Sequence, residues 1–258
     1  MMQAGFDMTG RVVLVTGGAR GIGRGIAEAF LAAGADVVIC GRTQPEEDLS
    51  VAGNTAIFLP ADVRDPDAVG ALIDAVVARC GRLDVLVNNA GGAPPADSAT
   101  VSPKFSRSIV ELNLLAPLVC GQRANAVMQT QDTGGTIINI ASVSALRANP
   151  NAAAYGAAKA GLLNLTETYA VEFAPKVRVN AVSAGLIRTE QAHLFYGDEA
   201  GIAAVGATVP LGRMGLPTDI ANACLFLASD AAAYISGANL LVHGGGERPA
   251  YLDAATPA

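Results

Sequence analysis

Tyr155 and Lys159 stand four residues apart in YGAAKAG (155–161), the only polar side chains of any size in a run that favours helix. On a helix that spacing places both on one face. A phenol ionises at about 10, too high for efficient proton transfer near neutrality, and a neighbouring ammonium is expected to lower that value. Ser142 ends the apolar run GTIINIAS (135–142), and its hydroxyl could donate to a substrate carbonyl oxygen and polarise it. Asn113 lies in a long helical stretch, where Asn is a poor helix former; it could hold a water that links Lys159 to solvent. Taken alone, the Tyr/Lys pair reads equally as a half-buried ring with a lysine on the rim. The four residues together suit proton transfer at a substrate oxygen.

A second set begins with TGGARGIGRGIA (16–27), where Gly17, Gly21 and Gly23 have the spacing GxxxGxG directly after an apolar run. Glycines let the backbone turn tightly against a pyrophosphate, whose charge a helix N-terminus favours. Arg20 and Ile22 belong to this turn. A tight strand-to-helix turn with no ligand is the alternative, and the position at the first strand–helix junction argues against it. An acid ending the second strand would mark a ribose 2′-OH partner, but CGRT (40–43) has none. Arg42, joined by Arg20, could pair with a 2′-phosphate, so NADP(H) is favoured. NAD(H) stays open, because Glu46, Glu47 and Asp48 alter the local field. Asp62 could take a hydrogen bond from an adenine amino group, with the Val63 backbone beside it. Asn89, Ala90 and Gly91 of NNAG (88–91) would let the backbone pass near a ribose. Both segments also fit plain strand-end turns.

These residues need a scaffold, and the chain alternates short β-branched runs with longer helical stretches. That pattern predicts a parallel sheet with helices on both faces. Strands are expected at 11–17, 36–40, 56–60, 83–89, 135–142, 177–184 and 238–244. Helices are expected from Ile22 to Ala33, over 65–81 with Asp65 as N-cap and Pro66 at the first position, over 102–129 with a bend or a local adjustment at Pro117, from Ala153 to Phe173, and over 217–229. The segment 186–216 has several glycines and no clear period, as ligand-covering loops often do. Residues 1–258 are read as one dinucleotide-binding domain, with a substrate-covering lid at about 186–216.

Composition removes several function classes. The 258 residues are 51% hydrophobic with a net charge of −6, and no Lys/Arg cluster offers a nucleic-acid or anionic-membrane surface. The longest uncharged run, Ala231 to Gly246, is broken by Gly and shorter than the ~20 residues of a membrane span. MMQAGFDMTG lacks a basic start followed by an apolar block, and Cys40, Cys80, Cys120 and Cys224 lack CxxC spacing. A reducing, cytoplasmic setting is expected. With only His193 and His243, metal catalysis and His-based triads have little to draw on.

VTGGARGIG, NNAG, Asn113, IINIASVSA, YGAAKAGL, VRVNAVSAGLIRT, PLGRMGLPTDIANACLFLASD and ISGANLLVHGGG together resemble a short-chain dehydrogenase/reductase over nearly the whole length. The resemblance implies a Rossmann-like, single-domain α/β fold, a doubly wound parallel seven-stranded sheet with helices on both faces. It implies a nicotinamide cofactor, a tetrad of Asn113, Ser142, Tyr155 and Lys159, a nicotinamide-carboxamide segment holding Ile187 and Thr189, and a homotetramer. Arg42 matches the place where NADP(H)-using members often carry a basic residue. Two departures stand out: Ala184-Gly185 replaces Pro-Gly, and VHGGG puts His243 where an acid is more frequent.

The expected activity is interconversion of a secondary alcohol and a ketone on a small carbonyl or alcohol substrate, neutral or lipophilic given the apolar 186–216 segment. His243 reads as a packing or interface residue. His193 reads as a lid residue facing substrate or solvent. A catalytically silent nucleotide-binding sensor of the same fold is the alternative; the intact tetrad argues against it. A sugar-nucleotide epimerase fits poorly with this length and turn.

Overall fold

The computed structural model describes residues 6–247 and Pro249. β1 (Val12–Thr16) leads through the glycine turn into α1 (Gly21–Ala32) and β2 (Asp36–Gly41). A small antiparallel hairpin, β3 (Ser50–Val51) with β4 (Asn54–Thr55), precedes β5 (Ile57–Pro60), α2 (Pro66–Cys80) and β6 (Val85–Asn88). α3 (Pro103–Val110) runs through a π segment (Glu111–Leu115) into α4 (Ala116–Met128), followed by β7 (Gly135–Ser142), α5 (Ala153–Glu172) and β8 (Val177–Ala184). α6 (His193–Tyr196), α7 (Glu199–Ala207), α8 (Pro217–Ala228) and β9 (Asn239–Val242) complete the described chain.

The main sheet has seven strands in the order β5-β2-β1-β6-β7-β8-β9. Every pairing in it is parallel. Chain order reverses between β1 and β6, and in such sheets the crevice beyond the strand ends at that point receives ligands. Alternate residues of each strand serve opposite cores. Val13 and Val15 pack with Ile26, Phe30, Ile220 and Cys224 of α1 and α8. Val12 and Leu14 pack with Val69, Val76, Ala124 and Met128 of α2 and α4. Burial on both faces explains why the strands read as unbroken apolar runs. Cys40, Cys120 and Cys224 are free and buried in these cores, and burial pushes the Cys40 and Cys120 thiols up to about 12.

Helix ends follow local chemistry. The Asp65 side chain accepts from Asp67 N at 3.0 Å, Pro66 opens α2, and Gly81 closes it at φ 78°. Ser102 caps α3 through Phe105 N at 3.2 Å. The expected long helix is continuous, and its local adjustment is a π segment one turn before Pro117. Ala116 N reaches back to Glu111 O. Pro117 has no N–H to give the Asn113 carbonyl four residues earlier. The widened turn is centred on Asn113, which is fully buried.

α1 and α8 approach closely because Gly25 has no side chain: a Cβ there would lie 2.4 Å from Pro217 Cβ. Gly25→Ala gains up to about 1 kcal/mol of helix propensity against an overpacking cost of about 1–3 kcal/mol. The expected result is a lower urea midpoint at unchanged m-value. A midpoint equal to or above that of the native protein would show that the two helices can slide apart without loss.

Candidate active site

The glycine turn is shaped by close approaches. Gly17 and Gly21 take φ of 64° and 55°, a region L side chains avoid. A Cβ on Gly23 would lie 2.3 Å from Gly17 O and 2.4 Å from Asn89 Nδ2. Thr16 Oγ1 accepts from Asn89 N and Ala90 N, both at 2.9 Å, and Asn89 Nδ2 donates to Thr16 O at 2.9 Å. The end of β1 is thereby fastened to the Asn89–Gly91 segment. Arg20 holds the N-cap position of α1 with no side-chain cap, and Ile22 is partly buried beside it. Gly21 N donates to Glu190 Oε1 at 3.0 Å. The turn therefore already accepts an anionic oxygen, and its glycine cradle fits a pyrophosphate.

Arg42 is exposed at the end of β2, and neither Arg20 nor Arg42 makes a salt bridge among the described residues. Asp62, beside Val63, is clasped by Arg64: Nε reaches Oδ1 at 3.0 Å and Nη2 reaches Oδ2 at 2.5 Å. That pairing holds the Asp62 carboxyl down at about 2, with the charge of Arg42 adding to it. Asp62 thus remains an anionic acceptor, though Arg64 already occupies part of its capacity.

The four candidate catalytic residues come from three elements. β7 ends at Ser142, 9% exposed, whose Oγ accepts from Ser144 N at 3.1 Å and lies 3.2 Å from Ser144 Oγ. α5 carries Tyr155 and Lys159. Lys159 is 3% exposed and donates through Nζ to the Ile140 carbonyl at 2.7 Å; its Nζ stands 5.8 Å from the Tyr155 ring centroid. From the π segment, Asn113 Oδ1 accepts from Gly92 N at 2.9 Å, while Nδ2 donates to Gly92 O and Ile109 O at 3.0 and 2.9 Å. A Cβ on Gly91 would sit 2.7 Å from Asn113 Oδ1 and 3.3 Å from Lys159 Nζ, so Gly91 brings the Asn89–Gly91 segment, the amide and the ammonium together. The Asn113 side chain is committed to the fold. Its main-chain carbonyl has no N–H to accept from at Pro117.

The electrostatics correct one expectation. The net shift at Tyr155 is upward, opposite to the direction expected from the Lys159 neighbour alone. Burial raises the Tyr155 phenol above its ordinary value, with the facing Ser142 hydroxyl pulling partly the other way. Burial also lowers Lys159 to about 8. Helical spacing placed the pair on one face, and exclusion of solvent sets the direction of both shifts.

Ile187 forms a parallel bridge with Gly215, and Arg188 N donates to Gly215 O at 2.8 Å. This fastens the segment that ends in Thr189 over Gly21, with Thr189 Cγ2 3.6 Å from a Cβ built there. A cavity of about 330 Å³ lies behind it, lined by Thr189, Glu190, His193, Ile202 and Pro217 among others. A smaller cleft of about 90 Å³ adjoins Tyr155, with Pro94, Val101, Phe105, Ile109 and Ala152 among its walls. His193 Nδ1 lies 3.0 Å from the Glu190 carbonyl oxygen. His243 packs on Gly185, where a Cβ would come within 2.7 Å of His243 Cβ. Gly156 is likewise small for contact within the chain, since its Cβ would lie 3.0 Å from Ser144 O. Sequence reasoning missed Thr16, Gly92, Arg64 and Glu190. Only Thr16, a polar residue ending a buried strand next to the glycine turn, carried a readable signal.

The buried ammonium gives a stability test. The folded pKa of Lys159 lies below the value of 10.5 for a free lysine, so between the two values the unfolded chain binds more protons and stability rises with pH. Lys159→Met is expected to melt above the native protein near pH 7, with the gap closing as pH rises from about 8 to about 10.5. A variant that melts lower near pH 7, by a margin independent of pH, would show that the ammonium carries no net burial cost.

The family model described as enoyl-(acyl carrier protein) reductase matches residues 17–247. Cis-4-hydroxycyclohexanecarboxylate dehydrogenase of Sinomonas cyclohexanicum is 40% identical over 242 residues, covering 91% of this chain and 96% of that protein. The 3alpha-hydroxysteroid dehydrogenase of Mediterraneibacter gnavus is 37% identical over 242 residues, with 91% and 96% covered. A solved short-chain type dehydrogenase/reductase from Mycobacterium marinum superposes with a TM-score of 0.87 at 33% identity, covering 95% of this chain and 98% of that one. Sheet order, glycine turn and these likenesses agree: the chain belongs to the short-chain dehydrogenase/reductase family, whose members are oxidoreductases using a nicotinamide dinucleotide.

Proposed function

We propose that the protein interconverts a secondary alcohol and a ketone with NADP(H) as the favoured cofactor. The observation that carries this reading is the convergence of Ser142, Tyr155 and Lys159 at the ends of β7 and α5, against the Gly91–Gly92 segment that Asn113 holds. Gly17, Gly21, Ile22 and Gly23 would cradle the pyrophosphate. Asp62 and Val63 would meet the adenine, Asn89 to Gly91 the ribose, and Ile187 and Thr189 the carboxamide. When bound, the nicotinamide supplies or accepts the hydride at the substrate carbon.

The chain's own residues handle the oxygen and its proton. Ser142 donates a hydrogen bond to the oxygen as negative charge develops on it. Tyr155 gives its phenolic proton to that oxygen. An alkoxide is far more basic than a phenolate, so the transfer runs downhill even from a phenol raised by burial. The resulting phenolate lies beside the Lys159 ammonium, which stabilises it and reaches the ribose face. A water on the Asn113 carbonyl would return the proton from solvent. In the oxidising direction each transfer reverses.

Two exposed arginines without salt bridges at the end of β2 and in the glycine turn support NADP(H) over NAD(H). The apolar cleft beside Tyr155, with Leu194 and Phe195 exposed on α6, supports a neutral or lipophilic substrate under a lid at 186–216. Leu240 and Leu241 are partly exposed on the edge strand β9, which supports assembly into a homotetramer. No described helix is long and apolar enough to cross a membrane, and four free cysteines support a cytoplasmic setting.

Tyr155→Phe is expected to lower kcat by about 10²–10⁴-fold while NADPH affinity, read by fluorescence titration, stays within about twofold. Near-native turnover would remove Tyr155 from the proton path. Arg42→Asp is expected to lower the NADPH-to-NADH ratio of kcat/KM by more than about tenfold. An unchanged ratio would show that another group chooses the cofactor.

A further inference from the structure

Glu190 follows Thr189 directly and is exposed. Its Oε1 takes the Gly21 N–H at 3.0 Å, the N–H that opens α1. The carboxylate makes no salt bridge among the described residues; what holds it is this N–H and the positive end of the helix, with the charge of Arg24 adding a weaker attraction. Those same features suit the glycine turn to a pyrophosphate. One N–H cannot serve two anionic oxygens at full strength, and a carboxylate beside a pyrophosphate is repelled by it.

We propose that Glu190 gates the cofactor site: its carboxylate occupies the Gly21 N–H, and the dinucleotide binds by expelling it. The inference rests on reading the glycine turn as the pyrophosphate site. Expulsion does not stop at one side chain. The Glu190 carbonyl faces His193 Nδ1 at 3.0 Å, Ala192 N donates to Thr189 O at 3.0 Å, and Tyr196 N donates to Ala192 O at 3.0 Å. The turn that carries Glu190 thus leads straight into α6. The cavity of about 330 Å³ lined by Glu190, His193 and Pro217 gives the released carboxylate room to swing. Cofactor arrival and movement of the 186–216 segment are thereby linked through one hydrogen bond.

The test compares NADPH and NADH binding, by fluorescence titration, to the native protein, Glu190→Ala, Glu190→Gln and Glu167→Gln. Glu167 is an exposed carboxylate on α5, and its variant controls for net charge. Glu190→Ala is expected to bind both dinucleotides about tenfold more tightly, with Glu190→Gln between it and the native protein and Glu167→Gln unchanged. In protein without dinucleotide, hydrogen exchange of the Gly21 amide is expected to be faster in Glu190→Ala than in the native chain. Saturation with NADPH should remove that difference. Equal or weaker binding by Glu190→Ala, or an equal gain in Glu167→Gln, would overturn the gate while leaving the cofactor reading intact. Failure of every form to bind either dinucleotide would overturn both.

Discussion

An ammonium sealed from water at the end of the central sheet is the constraint on which the rest of this site depends. Lys159 Nζ lies 2.7 Å from the Ile140 carbonyl and is almost wholly buried. Such a charge is costly to bury, and a fold that served stability alone would fill the position with an apolar side chain. Holding it needs α5 pressed against β7, Gly91 bare of a side chain, and Asn113 turned inward. The π segment supplies the last of these: widening one turn of a long helix buries a polar amide where it can fasten Gly92 on both its N–H and its C=O. The fastening of Gly92 and the irregular helix therefore go together.

The cofactor side is arranged by close approach rather than by charge. Gly17, Gly23 and Gly91 each stand where a side chain would strike a neighbour. Thr16 fastens the first strand to the segment that would pass the ribose. Besides Arg20, which belongs to the turn, one charge reaches it from outside: the Glu190 carboxylate on Gly21 N. The segment carrying Glu190 and the glycine turn that would hold the pyrophosphate are therefore already in contact.

What the sequence made legible follows from burial. Strands buried on both faces read as apolar runs, and α2 announced itself through Asp65, Pro66 and Gly81. The Tyr155–Lys159 spacing gave a shared face. The β3–β4 hairpin, with strands of two residues each, is too short to leave a period-2 pattern. α6, only four residues long, left no helical one. Pro117 signalled a distortion but not its form, because the outcome depends on what Asn113 finds across the gap. The direction of the Tyr155 shift was misread for a related reason: spacing shows which groups are neighbours, whereas desolvation depends on everything packed around them. Glu190 was invisible, since its partner lies 169 residues away and nothing local marks an exposed glutamate as an anion held in place.

A crystal structure of the protein with NADP⁺ tests the central claim most directly. The account predicts Lys159 Nζ within hydrogen-bonding distance of both the Ile140 carbonyl and a hydroxyl of the nicotinamide ribose. The Tyr155 and Ser142 hydroxyls should then converge on one point beside the nicotinamide ring. A dinucleotide whose ribose is held by other groups, or a Tyr155 hydroxyl turned away from the ring, would contradict it.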